Sequence, residues 1–490
     1  LAGTFKTSNS LLNDIHVICR DAIQSQLYNS ITDCPHREKL GWLDVPNEMF
    51  NSLVYNYDME NFFKKVVLDC FDAQYSNGRV PSTVPHFMSV YDDDPNWGGA
   101  AILVPYRSWK TYGDVTTMTK FYPQMKKLMD YYTSKTVNHI MPGSNYSVLS
   151  DWGQETAGVN PMVPGEFTIT TTYYYMLNAM AEIASFLGKD VDAKGFLTQA
   201  QNTKKAFNER FYKDGVYEYG QQSEFAMPLY YGLVDQENEE LVAAKLAERV
   251  KKDNYKIKTG EIGLKPLFMS LAKYGYNDIV YQMANQTDCP SYGYWVKQGY
   301  TTTPEYWDVG AFSQNHCMMD HIEEWFFSQL GGIRNDGNGF DIVRIEPWIP
   351  EDMNHLDVTT RSIYGNIRCH YERGVDNEMN YTFEIPANSQ ANIVLPCLNH
   401  QSVFENGKDV KNGEKGVVSV EYKDGKAYLK MGSGNYTLQI KKKEATGIQE
   451  VNISRARLND VYYDLEGRNH GKVRPSQKGI FIWNQKKVVL

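Results

Sequence analysis

No stretch of this chain approaches the run of about 18 apolar residues that a membrane helix needs, so no spanning helix is expected. No run of lysine or arginine tracks one face, and the formal net charge is −9. Nucleic acid and anionic membrane are therefore excluded as expected partners. Cysteine is sparse and odd in number, with Cys19, Cys34, Cys70, Cys289, Cys317, Cys369 and Cys397 widely spread. There is no C-x-x-C, and no paired His/Cys spacing fits a structural zinc. Free buried thiols are expected. H-E-x-x-H is missing as well, and of His36, His86, His139, His316 and His321 the last two are five apart, the wrong spacing for one helical face. No metal and no cofactor are expected. The chain opens at Leu1 without a Met or a charged-then-apolar leader, and reads as a trimmed or mature fragment.

At 490 residues the chain exceeds the usual size of one domain, so a large domain with smaller ones is expected. Hydrophobic residues are 42% and charged residues 22%, an ordinary globular composition. Aromatics stand out, with 35 Tyr, 21 Phe and 9 Trp. They suit either a large aromatic core or a cleft that stacks on sugar rings while carboxylates bind the hydroxyls.

Helical spacing runs through most of residues 9–330, in about ten segments. They follow the cap-like Ser8-Asn9-Ser10 and then cover Glu48–Ala73, the stretch from Trp97 to a stop at Gly113-Asp114, Met118–Val137, Thr170–Leu187, Ala193–Phe211, Glu237–Val250, Gly263–Tyr274, Asp278–Asn285 and Asn315–Leu330. No strand–helix alternation is visible, which argues against a parallel α/β fold. From Phe340 to Ile440 short alternating runs are punctuated by Asn406-Gly407, Asn412-Gly413 and Asp424-Gly425, the pattern of a β-sandwich. The basic Lys441-Lys442-Lys443 then marks a linker to a small β-like tail. The expected division is a helical domain over 1–334, a β-sandwich over 335–441 and a tail over 442–490.

Three loops concentrate chemistry. In Thr32–Trp42, Asp33, His36, Arg37, Glu38 and Lys39 fall within seven residues, braced by Pro35 and by Gly41-Trp42. Neither helical nor strand periodicity fits it, so an ordered loop is expected, and charged loops on rigid scaffolds often carry function. A carboxyl beside an aromatic wall can be held protonated near neutrality, which makes Glu38 a candidate acid. A solvated charged turn anchored by Trp42 is the plainer alternative. Ser150–Glu155 is the second, where Asp151 beside Trp152 suits sugar hydroxyls or, equally, a helix cap. In Thr301–His316, Glu305 sits among Pro304, Tyr306 and Trp307. Glycosidic hydrolysis needs a second carboxylate opposing the first, and Glu305 is the candidate.

Asp33-Cys34-Pro35-His36-Arg37-Glu38-Lys39-Leu40-Gly41-Trp42 resembles the D-C-P-x-R-E-x-L-G-W signature of the glycoside hydrolase family 78 α-L-rhamnosidases. Thr301-Thr302-x-x-Glu305-x-Trp307 and Asn315-His316 are similar to that family's later segments, and the likeness covers about residues 5–440. The resemblance implies an (α/α)6 barrel followed by a β-sandwich, and inverting release of terminal L-rhamnose from a glycan or glycoside. It implies Glu38 as general acid and Glu305 as general base. Asp33, Arg37, Trp42, Asp44, Asp151, Trp152, Trp307 and His316 would surround the sugar. The chain departs from the family pattern at Val45, where an Asp is common, at Pro304 in place of a tryptophan, and at Asn96 before Trp97-Gly98. These departures bear on aglycone preference. The β-sandwich domains that usually precede such a barrel are not in this sequence. The tail, from Thr446-Gly447-Ile448 to Val489, resembles the C-terminal element of exported Bacteroidota proteins, which implies a periplasmic or cell-surface location. Alternative readings are another (α/α)6 glycosidase or a uronate lyase, or an inactive carbohydrate-binding protein. No oligomeric state is read from the sequence.

Overall fold

The structure is a computed structural model that describes residues 1–87, 91–308, 310, 312–375, 378–442, 461–471, 475–483 and 486–489. It divides into two units, Leu1–Lys441 and Lys442–Leu490. The first begins with helices that pack in pairs. Ser10–Gln26 lies on Tyr292–Lys297, Glu60–Asp72 on Ala100–Tyr112, and Gly165–Phe186 on Asp190–Phe211. Gln222–Tyr231 contacts both Glu239–Lys252 and Glu261–Lys273.

Burial sorts these helices into two layers. In Ala100–Tyr112, Gln222–Tyr231 and Glu261–Lys273 nearly every residue is buried, as expected of helices enclosed on all sides. Asp190–Phe211 and Glu239–Lys252 bury a single stripe, so they form the outer layer. The result is a helical domain of hairpins with polar loops gathered at one mouth.

Several expectations need correction. Glu48–Ala73 is not one helix, because Tyr57 turns extended between Phe50–Asn56 and Glu60–Asp72. Asn315–Leu330 breaks into a 3-10 turn at Cys317–Met319, a short α-helix at Ile322–Trp325 and a π turn at Phe326–Leu330. Gln222–Tyr231 is a helix that periodicity cannot reveal, since it is buried all round and holds Pro228. Its start is fixed by a capping box between Gln221 and Glu224.

After residue 332 come a seven-stranded and a five-stranded sheet. The seven-stranded sheet begins with Thr4–Thr7, which pairs antiparallel with His355–Ser362 in the register Phe5↔Val358. Residues 4–7, expected in the helical domain, thus belong to a strand of the C-terminal sheet. None of the seven cysteines forms a disulfide with another, and all but Cys289 are buried. No described helix is long and apolar enough to cross a membrane.

In the second unit Tyr462–Asp464, Ile480–Trp483 and Lys486–Val489 form an antiparallel sheet in that order. Thr446-Gly447-Ile448, where the resemblance to exported proteins begins, lies outside the described residues.

Candidate active site

The Asp33–Trp42 loop is closed at its base by Asp33 N–H on Leu40 O (2.9 Å) and Lys39 N–H on Cys34 O (3.2 Å). It is seated on a neighbouring segment by Val84 N–H on Gly41 O (2.8 Å) and Leu43 N–H on Ser82 O (3.0 Å). Only glycine fits at position 41, where a Cβ would run into Val84 O. The loop thereby holds Glu38 at the mouth and Asp33 in the wall.

Glu38 is exposed, and Trp42 meets it through the indole N–H, which donates to Oε2 at 3.0 Å. The apolar wall expected around Glu38 is therefore a polar contact. Desolvation falls on Asp33 instead. Burial, with a contribution from the neighbouring Glu38, pushes the Asp33 carboxyl up to about 7. Asp33 accepts Leu40 N–H (2.9 Å) and the Cys34 thiol (2.9 Å). Burial and the adjacent Asp33 push that thiol up to about 12, so it stays a donor.

Glu305 comes from the Thr301–His316 loop. Its N–H donates to Ser313 O (2.9 Å), and its Oε2 accepts Ser313 N–H (3.2 Å). The Trp152 indole reaches its Oε1 at 3.4 Å. Burial raises the Glu305 carboxyl, and the like charge of Glu38 adds to the rise. Glu38 and Glu305 line one open-mouthed cavity, with Asp33, Trp42, Asp44, Trp152 and His316 also in its wall.

The floor carries a carboxyl pair. Burial raises both Asp44 and Glu261, and Glu261, held well above the usual range, keeps its proton and donates a hydrogen bond to Asp44. His316 is buried and its imidazole is pushed down to about 3, so it is neutral. Its Nδ1 accepts Met318 N–H (3.4 Å), which leaves the proton on Nε2.

Three expected sugar contacts are placed elsewhere. Asp151 is fully buried and accepts from Ser223 Oγ (2.6 Å), Gly260 N–H (3.0 Å) and Gly263 N–H (2.8 Å). Trp307 is fully buried, stacked on Trp295 at 4.6 Å, and donates to Thr259 O (3.0 Å). Both are struts beneath the cavity: Glu261 N–H bonds Trp152 O at 2.9 Å, so the Asp151 knot ties the floor to the tryptophan that holds Glu305. Arg37 is exposed, with its guanidinium 5.8 Å from the Phe312 ring; it lies outside the cavity lining but near enough for its charge to offset part of the rise in the Glu305 carboxyl.

Glu261 and Trp97 line the cavity without having been singled out in the sequence. Glu261 follows Thr259-Gly260 and opens an apolar helix, where an acid reads as ordinary first-turn decoration. Trp97 looked like the start of a helix; its ring meets Trp42 edge-on at 6.5 Å. A carboxyl at the mouth and a half-buried carboxyl in the same cavity can divide proton delivery from water activation.

Residues 1–330 match the family described as bacterial alpha-L-rhamnosidase 6 hairpin glycosidase domain, and residues 332–409 match its C-terminal domain. An alpha-L-rhamnosidase of Formosa agariphila is 28% identical over 472 residues, covering 90% of this chain and 49% of the relative. The chain thus spans about half the length of the curated relatives it matches. The structure of an alpha-L-rhamnosidase from Dictyoglumus thermophilum superposes with a TM-score of 0.83 at 28% identity, over 90% of this chain and 50% of that one. A Streptomyces avermitilis alpha-L-rhamnosidase complexed with L-rhamnose shares the fold, with a TM-score of 0.82 at 23% identity over 90% and 42% of the two chains.

Proposed function

Because the chain belongs to the bacterial α-L-rhamnosidase family of six-hairpin glycosidases, we propose that it hydrolyses terminal α-L-rhamnosides in glycans or glycosides, exo-acting and with inversion. The observation that carries this reading is that Glu38 and Glu305, remote in sequence, line a single cavity.

In this mechanism the sugar ring lies against the Trp42 and Trp152 side of the cavity. Glu38, reachable from solvent, protonates the glycosidic oxygen as its bond to the anomeric carbon breaks. Glu305 takes a proton from the water that attacks the opposite face of that carbon. Inversion needs about 6.5–9.5 Å between the carboxyls so that the water fits. The raised Glu305 carboxyl is a stronger base once ionised, and the Trp152 and Ser313 N–H groups orient it. Asp33, which keeps its proton to about pH 7, donates a hydrogen bond to Glu38 and so positions that carboxyl. An exported location, periplasmic or cell-surface, is part of the proposal and rests on the resemblance of the tail.

Proton NMR of a fresh digest of an α-L-rhamnoside tests the reading. β-L-Rhamnose should appear first and then mutarotate. The α-anomer appearing first would overturn inversion, and no release of rhamnose would overturn the activity.

A further inference from the structure

Two histidines that no sequence spacing joined meet on the outer face of the seven-stranded sheet. Strands His355–Ser362 and Gly365–Arg373 pair antiparallel, with His355 opposite Glu372 and Asp357 opposite His370. Side chains alternate along a strand, so all four stand on one face while Leu356, Val358, Cys369 and Tyr371 fill the core on the other. The two imidazole rings are 5.2 Å apart. One ligand atom each from His355, His370 and Glu372 lies within 4.8 Å of the others.

The orientation of His370 is specific. Its Nε2 is 3.9 Å from Glu372 Oε1, and its Nδ1 faces Asp357 Oδ2 at 3.8 Å. Neither separation is a hydrogen bond, and Nδ1 is buried without a partner. Asp357 is held in place by Arg368, which donates to both carboxylate oxygens at 2.8 and 2.6 Å.

We infer that His355, His370 and Glu372 form a binding site for a divalent transition-metal ion of the zinc class. Two imidazoles with one carboxylate suit Zn²⁺, whereas Ca²⁺ and Mg²⁺ prefer all-oxygen sets. With zinc–ligand distances of about 2.0–2.2 Å, tetrahedral ligand atoms stand about 3.4 Å apart. A small rotation of the exposed Glu372 side chain closes its 3.9 Å gap to that spacing. Asp357, 3.8 Å from Nδ1 of His370, stands where a small turn of the ring would let it accept the Nδ1 proton and leave Nε2 for the metal, the arrangement by which carboxylates orient metal-binding histidines. The ion would link two strands beside the N-terminal one. There Ser8 N–H bonds His355 O (3.0 Å), and Ser8 Oγ accepts Asn354 N–H (2.9 Å).

Calorimetric titration and thermal melts of the whole chain with ZnCl₂ test this, against CaCl₂ and against His370→Gln and Glu372→Gln. Zn²⁺ should bind one site and raise Tm, both variants should weaken that binding at least tenfold, and Ca²⁺ should have no effect. Absent zinc binding, unchanged affinity in Glu372→Gln, or an equal response to Ca²⁺ would overturn the site. Should His370→Gln fail to fold, Cu²⁺ electron paramagnetic resonance on the unaltered chain decides the histidine half: coupling to two nitrogens supports it, and its absence overturns it.

Discussion

Asp33 carries opposing requirements. Its Oδ1 fixes the loop by accepting Leu40 N–H, yet burial and Glu38 hold its carboxyl up to about 7, far above an unfolded aspartate. The folded state therefore binds a proton that the unfolded chain releases near pH 4. Stability from this group is full below that point and is lost as pH climbs through about 7. Asp33→Asn keeps the acceptor for Leu40 and removes the buried charge. It should raise Tm relative to the unaltered chain at pH 8 more than at pH 4, while lowering turnover. Melts at the two pH values check this, and an equal change at both would contradict it. Such a gain is what a site that trades stability for chemistry predicts.

At the scale of elements, the two reactive loops are positioned by backbone contacts. Gly41 lets the acid loop lie against Val84, so Gly41→Ala should lift the loop by about an ångström and lower kcat by about 10²-fold. Helical circular dichroism should persist; full activity would show that the seat is not needed. Sequence made both loops legible because charge, aromatics and turn residues cluster in them without periodicity. It could not separate Trp152, which reaches Glu305, from Trp307, which is buried under it, since one Trp beside an acid looks like another. Asp151 misled for a related reason: a buried carboxylate serving backbone N–H groups has the same composition as a sugar-binding one. The helix Gln222–Tyr231 stayed hidden because inner-layer helices have no polar face to set a period.

Across the first unit, one hydrophobic core runs without a break from Phe5 to Ile440. Tyr55 ties the helical part to the strands: its hydroxyl donates to Ile333 O (2.7 Å), and its carbonyl accepts from Thr360 Oγ1 (3.0 Å). The order of helices before strands was readable from the change in periodicity near residue 331. The return of Thr4–Thr7 to the far sheet was not, since four residues carry too little pattern. Helical and strand signals of residues 1–441 should therefore melt in one cooperative transition, followed by circular dichroism and near-ultraviolet absorbance together. Two separated transitions would contradict a shared core. The central claim is that Glu38 and Glu305 divide one hydrolysis between them, and a rhamnosyl disaccharide, whose poor leaving group needs a proton, probes it most directly. Glu38→Gln and Glu305→Gln should each lower kcat by about 10²–10⁴-fold while leaving L-rhamnose affinity within a few fold. Turnover by either variant at the rate of the unaltered chain would contradict the account.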